Sequence, residues 1–310
     1  MSGASRAAII GLLISAAGAV CFSTKAILVK LAYRDTQVDA VSLLALRMVF
    51  ALPFFAFSAF RIFLRRSERQ LTSREMMWIA FTGCLGYYIS SLLDFAGLQY
   101  VSAALERLVL FIYPTLVLIM GAAWFKHRIT RAQWAAVALT YFGILLAFLG
   151  EWKEGSPETT TGVLLVFGCA LTYGSYIVIS SRLIDVAGST RFNSYSMVFA
   201  SLGVLLHHLL SGAPSLTGLE PAAYGYGFLM GVISTVIPSY LVAESIKRIG
   251  PGNTAIVASI GPVATLFMAW FFLNESISLW QLAGTGCILG GIQLIARFGP
   301  DRSASEPQNR

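Results

Sequence analysis

The sequence predicts an all-α polytopic membrane protein: ten transmembrane helices as a 5+5 inverted repeat, with both termini cytoplasmic. Three observations predict it. First, the 310 residues are 56 % hydrophobic and 12 % charged, with a mean hydropathy of +0.72. An ordinary soluble domain is about 25 % charged, and a disordered chain lacks this apolar content. Second, the apolar residues fall in runs of about 20, the length of one transmembrane helix. Third, most Lys and Arg residues lie in alternate turns between those runs.

The first run, 7–31, follows a single Arg6. It is too long for a signal-peptide core, so it reads as a retained helix. Runs 38–60, 75–98, 101–124 and 132–150 complete the first half. The polar stretch EWKEGSPETTT at 151–161 divides the chain. Runs 162–184, 191–211, 222–245, 252–273 and 278–297 make the second half. None shows the period-two alternation of barrel strands, and each is long enough to satisfy its own backbone as a helix. Residues 298–310 are polar and predict a disordered cytoplasmic tail.

Orientation follows from the basic residues. With the N-terminus in the cytoplasm, that side holds Arg6, Arg61, Arg65, Arg66, Arg69, Arg74, Lys126, Arg128, Arg131, Arg182, Arg191, Lys247, Arg248, Arg297, Arg302 and Arg310. These are 16, against Lys30, Arg34 and Lys153 outside. The net charge of +7 therefore reflects topology and lipid headgroups, not nucleic acid. Trp78, Trp124 and Trp280 lie near run ends, where interfacial tryptophan belongs. Cys21, Cys84, Cys169 and Cys287 each sit alone in apolar sequence and form no metal or disulfide framework. His207-His208 reads as interfacial, and Gly284, Gly286 and Gly290 as packing glycines.

The halves repeat. Met48-Val49-Phe50-Ala51 recurs as Met197-Val198-Phe199-Ala200, and Gly11-Leu12-Leu13 corresponds to Gly162-Val163-Leu164. Pro114, Gln133, Ala135 and Gly143 recur 148 residues later as Pro262, Gln281, Ala283 and Gly291. Five helices per half is an odd number, so the second half enters the membrane from the opposite side. In secondary transporters such an inverted repeat places the substrate between halves near the midplane.

The stretch FAGLQYVSAALERLVLFIYPTLVLIMGAAWFKHRITRAQWAAVALTYFGILL from Phe95 resembles the closing part of an EamA repeat. So does YLVAESIKRIGPGNTAIVASIGPVATLFMAWFFLNESISLWQLAGTGCILGGIQL from Tyr240. The mid-helix Pro, the polar turn and the Gly-containing last helix carry the likeness. The resemblance covers 7–150 as a first EamA repeat and 162–297 as a second, each with five helices. It implies the drug/metabolite transporter superfamily and export of small organic solutes by alternating access. Glu275 matches the family's turn glutamate, whereas the first half has Lys126-His127 there, so a turn or packing role fits Glu275.

Ionisable residues inside a membrane are functional candidates. Lys25, Arg47, Asp94, Glu106 and Arg107 qualify, all in the first repeat and in the outer halves of their helices. Snorkelling to the outer surface is the rival reading for Asp94 and Arg107. Lys25 shares a stripe with Gly18 and Cys21, so it should face the bundle, either in a cavity or as an ion-pair partner; Tyr176 is its repeat counterpart. Tyr87, Ser91 and Asp94 form one polar face, suited to a wet cavity or to hydrogen bonds with a neighbouring helix. Glu106 and Tyr113 share a stripe, and Pro114 frees the Leu110 carbonyl as Pro262 frees that of Ala258. These kinks serve either solute binding or bundle packing.

The expected substrate and coupling cavity is thus Lys25, Arg47, Tyr87, Ser91, Asp94, Glu106, Tyr113 and Tyr176. Three cations against two anions leave one positive charge for a substrate carboxylate, which favours amino-acid-like cargo. The expected function is a secondary-active exporter of small metabolites in the cell membrane, coupled or not to protons. The alternatives are an uncoupled facilitator and an intramembrane enzyme. The last lacks GxSxG and HExxH sequences. No metal or cofactor is expected. The expected partners are a small-molecule substrate and the lipid bilayer, not nucleic acid, with a homodimer left open.

Overall fold

Polar capping residues set where helices begin. The computed structural model describes residues 3–64, 69–125, 129–151, 157–242, 244–245, 257 and 260–298; among them are helices and no strand. The helices are α1 (Gly3–Asp35), α2 (Ala40–Leu64), α3 (Ser73–Gly97), α4 in two segments (Ala103–Leu110 and Tyr113–Phe125) and α5 (Arg131–Glu151). In the second half are α6 (Pro157–Ala187), α7 (Ser189–Leu210), α8 (Pro221–Val242), α9 (Gly261–Leu273) and α10 (Leu279–Phe298). A reciprocal capping box at Thr72–Glu75 starts α3. The same device starts α5 at Thr130–Gln133 and α10 at Ser278–Gln281, positions 148 residues apart.

Helices appear in the order of the expected runs; of the run expected at 252–273, residues 252–256 and 258–259 lie outside the described residues and Gly261–Leu273 is helical. The run expected as one helix at 101–124 is interrupted at Phe111–Ile112. Pro114 has no N–H, and the Thr115 and Leu116 N–H groups both turn back to the Ile112 carbonyl at 3.0 and 3.2 Å. Pro262 occupies the first turn of α9 in the same way. Helices α3 and α8 each contain a wide π-turn, Cys84–Ile89 and Val232–Val236, again 148 residues apart. The expected tail beyond Phe298 and the basic residues Arg65, Arg66, Lys126, Arg128, Lys247, Arg248, Arg302 and Arg310 lie outside the described residues. So does the side chain of Trp124.

Among the described residues six helices are long and apolar enough to cross a membrane, and Gln133–Leu149 and Gly261–Leu273 are shorter apolar helices. Phe54, Phe57, Phe60 and Phe63 of α2 and Phe267, Trp270 and Phe271 of α9 point outward. In water this would be an unsupported apolar surface; in a bilayer it is the lipid-facing one. The chain is a multi-pass membrane protein.

The halves interleave. Helix α1 packs on α8 and α9, α2 on α7 and α8, α6 on α3 and α4, and α5 along α10. Glycines allow the closest crossings. A Cβ on Gly143 would fall 2.6 Å from the Gly284 carbonyl oxygen and 2.8 Å from the Cys287 Cβ, and one on Gly291 would fall 2.8 Å from the Ala136 carbonyl oxygen. Advancing along α5 therefore means retreating along α10, so the two run antiparallel. Moreover, Gly143 and Gly291, like Ala136 and Gly284, are 148 residues apart. Each contact maps onto the other when the halves are exchanged. The α3–α7 and α8–α2 crossings do the same: Gly83 lies against the Ser196 backbone and Gly231 against that of Arg47.

Gly143→Leu should therefore force these backbones apart, lowering stability by about 1–3 kcal/mol. Gly286, which has nothing within 4 Å of its Cβ position, should accept Ala without effect. Thermal unfolding of both variants in detergent checks the pair.

Candidate substrate and coupling site

Close packing carries Lys25 inward. A Cβ on Gly18 would lie 3.3 Å from Leu241 Cβ and 3.4 Å from Val242 Cγ2, so α1 meets α8 along that stripe. Two turns further on, Lys25 Nζ lies 2.6 Å from Asp94 Oδ2 and 3.5 Å from Glu106 Oε1. Asp94 and Glu106 are 1 % and 0 % exposed. Buried charges persist only when paired, and Lys25 serves both carboxylates. Glu106 Oε2 accepts no hydrogen bond from an N–H or hydroxyl group among the described residues. Cys169 Sγ reaches Asp94 Oδ1 at 4.0 Å and lies 3.3 Å from Ser90 Oγ.

Two buried guanidiniums flank this trio. Arg47 is 4 % exposed. It donates through Nε to Thr235 Oγ1 at 2.8 Å and through Nη1 to Ser91 Oγ at 3.1 Å, over the Phe95 ring at 5.6 Å. The π-turn of α8 aims Thr235, whose hydroxyl donates in turn to the Met230 carbonyl, five residues back, at 2.9 Å. Arg107 is 7 % exposed. Its Nη2 donates to Ser23 Oγ at 3.3 Å, its guanidinium stands 5.1 Å over the Phe111 ring, and its Nε has no partner. A Cβ on Gly261 would lie 3.0 Å from Arg107 Nη2, so glycine at the start of α9 makes the room. Neither guanidinium has a carboxylate within ion-pair distance among the described residues.

The tyrosines form a second group. Tyr87 and Tyr176 meet edge-to-face at 5.1 Å, with their hydroxyls 3.5 Å apart. The Tyr176 ring fills the space where a Cβ on Gly86 would stand. Tyr113 reaches Tyr176 only through Tyr173, which stacks on Tyr176 at 5.6 Å and meets Tyr113 at 5.3 Å.

The sequence-predicted residues thus sort into three sets: Lys25 with Asp94 and Glu106, Arg47 with Ser91, and Tyr87 and Tyr176 with Tyr113 behind Tyr173. Snorkelling of Asp94 and Arg107 does not occur, because both find partners on α1. Sequence reading missed Ser23, Tyr173 and Thr235. Ser23 and Thr235 are polar residues inside apolar runs, and Tyr173 lies three residues before Tyr176 on the same helical face; those were the available signals. Glu275 accepts from the Ala103 and Ala104 N–H groups at 3.1 and 3.4 Å. It therefore caps α4 from the α9–α10 turn, where a carboxylate suits the helix dipole. Among the described residues no group of three or more His, Cys, Asp or Glu is placed to hold a metal ion.

The model of the EamA-like transporter family matches residues 9–149 and 160–297. The chain belongs to the EamA-like transporter family. It is 34 % identical over 279 residues to the uncharacterized transporter YcbK of Bacillus subtilis (strain 168), covering 87 % of each chain. It is 24 % identical over 246 residues to the S-adenosylmethionine/S-adenosylhomocysteine transporter of Chlamydia muridarum (strain MoPn / Nigg), covering 74 % of this chain and 76 % of that one. A solved crystal structure shares the fold with a TM-score of 0.63 at 20 % identity, covering 93 % of this chain and 97 % of the other. This EamA protein is a membrane transporter and not an enzyme.

The trio makes a stability prediction. Lys25→Met removes the cation shared by two buried carboxylates and should cost about 3–5 kcal/mol. Lys25→Met combined with Asp94→Asn and Glu106→Gln removes the stranded charges too, and should recover much of that loss. Thermal melts of the single and triple variants give the comparison.

Proposed function

We propose that this EamA transporter is a secondary exporter of small metabolites carrying a carboxylate, amino acids foremost, working by alternating access. The observation that carries the reading is the buried charge balance. Lys25, Arg47 and Arg107 stand against Asp94 and Glu106, and the partners of the two arginines among the described residues are hydroxyls and aromatic rings. A cargo carboxylate supplies the missing anion. Tyr87, Tyr173 and Tyr176 offer aromatic surface to its body. The relative named for S-adenosylmethionine and S-adenosylhomocysteine favours this class, since both compounds are amino-acid derivatives.

Ten spans in a 5+5 inverted repeat, 7–150 and 162–297, underlie the cycle in this reading. The exchange symmetry of the α5–α10 and α2–α8/α3–α7 contacts supports it. Two related halves admit two related packings, one open to each side. The excess of basic residues puts both termini in the cytoplasm of a cell-membrane protein. Glu106 carries the coupling proton: its carboxylate is buried beside that of Asp94, and Lys25 is nearer to Asp94.

Untargeted profiling of medium from cells overproducing the protein tests the cargo class, with an Arg47→Ala, Glu106→Gln variant as control. A few carboxylate-bearing compounds enriched outside only with the unaltered protein is the expected result. Enrichment of compounds without a carboxylate, or equal enrichment by the variant, would sink it. Glu106→Gln alone should abolish uphill export driven by a proton gradient in vesicles. Undiminished uphill export in that variant would remove Glu106 from the coupling step.

A further inference from the structure

A cleft of about 550 Å³ opens at the end of α1 opposite its N-terminus, lined among others by Lys30, Tyr33, Gln37, Leu98, Gln99 and Leu273. Tyr33 lies eight residues beyond Lys25, which is about 12 Å along the helix. The cleft therefore stands above the Lys25–Asp94–Glu106 trio on the face that the charge pattern puts outside. Two of its wall residues cross from α1 to the end of α3. The Tyr33 hydroxyl donates to the Phe95 carbonyl, one residue past Asp94, at 2.8 Å. Lys30 Nζ donates to the Leu98 and Val101 carbonyls at 3.2 and 3.0 Å. These carbonyls follow the last turn of α3, where a helix end leaves acceptors open. Lys30 has no carboxylate partner among the described residues.

The other side of α1 is fastened differently. Asp35 accepts from the Tyr226 hydroxyl of α8, and the Gln37 N–H donates to Glu220, next to the start of α8, at 3.4 Å. The end of α1 is thus tied to α8 by one set of contacts and to the α3–α4 corner by another. Releasing Lys30 and Tyr33 frees the outer end of α1 from the corner, while the Lys25 trio and Ser23–Arg107 still hold α1 to it further in and Tyr226 still holds α1 to α8. Tyr33 spans from the cleft it lines to Phe95, the residue next to Asp94.

We propose that Lys30 and Tyr33 form a latch that closes the outer cleft over the trio, and that its release is what connects the cargo site to the outside. The proposal rests on the reading of the trio as that site. The latch bonds only backbone carbonyls, so it closes whatever the charge state of the trio beneath it. Side-chain latches of this kind switch between made and broken states when a packed helix pair has two arrangements.

Cys169 is a reporter already in place beside Asp94 and Ser90. The experiment uses the full chain with Cys21, Cys84 and Cys287 replaced by Ser, in right-side-out and inverted vesicles. A charged, membrane-impermeant methanethiosulfonate is the probe, and the mass shift gives the rate of Cys169 modification. The Lys30→Gln, Tyr33→Phe variant should react about tenfold faster than its parent in right-side-out vesicles, with no gain in inverted ones. Tyr33→Phe alone keeps the ring in place and should give a smaller gain in the same direction. Tyr100→Phe, at an exposed tyrosine of the same corner, should change nothing. Equal rates in parent and both latch variants, or an equal gain from both sides, would overturn the latch; so would a Cys169 that stays unreactive throughout. The readout needs no cargo. Faster labelling in a protein that exports nothing would keep the latch and reject the transport reading, and export with unmoved labelling would do the reverse.

Discussion

The pairing of Lys25 with Asp94 and Glu106 is the constraint around which the central helices are arranged. A charge carried into a lipid-facing bundle must be met by an opposite charge or by hydrogen bonds, because neither water nor lipid will solvate it there. Asp94 on α3 and Glu106 on α4 lie on either side of the α3–α4 turn, and a single ammonium on α1 holds both. That fixes α1 against the α3–α4 corner near one end of the bundle. Ser23 then meets Arg107, and Arg47 finds Ser91 and Thr235. The polar groups form a connected core that no one helix completes.

Around this core the helices approach more closely than side chains of ordinary size permit. Gly83, Gly143, Gly231 and Gly291 each face backbone atoms of a helix from the other half. Without a hydrophobic force between helices inside lipid, such close contact is what holds them together. The wide turns of α3 and α8 occur at matching places in the two halves, and so do Pro114 and Pro262, each the second residue of its helical segment. Each disturbs a regular helix where it faces the polar core. Departures from regular geometry thus concentrate near the ionisable residues, as they do where a helix must present backbone or redirect a side chain.

The interleaving joins these two features. Because α1 lies on α8 and α9, and α6 on α3 and α4, neither half encloses its own polar residues. A rearrangement of one half against the other necessarily moves Arg47 relative to Thr235 and Asp94 relative to Cys169. A site shared in this way responds to the relative position of the halves, which is what a transport cycle changes.

The helices, their order and the repeat were legible in the sequence, because apolar run length and a constant offset are local or linear properties. The five intramembrane charges were legible too, since in apolar sequence each stands out by its cost. Which charges pair was not: Lys25, Arg47 and Arg107 were all candidates for Asp94 and Glu106, and helix packing chose Lys25 for both. The break at Phe111–Ile112 was foreshadowed by Pro114, but its extent depended on the hydrogen bonds that Thr115 and Leu116 make instead. Thr235 and Tyr173 went unread because an isolated hydroxyl or ring in an apolar helix has no meaning until a partner faces it. Composition and periodicity by themselves determined a membrane-spanning bundle built twice over. Only the tertiary structure decided that Asp94 and Glu106 share one lysine while, among the described residues, neither Arg47 nor Arg107 has an acid within ion-pair distance, because a pairing between separate helices depends on their crossing and rotation, which one-dimensional pattern does not carry.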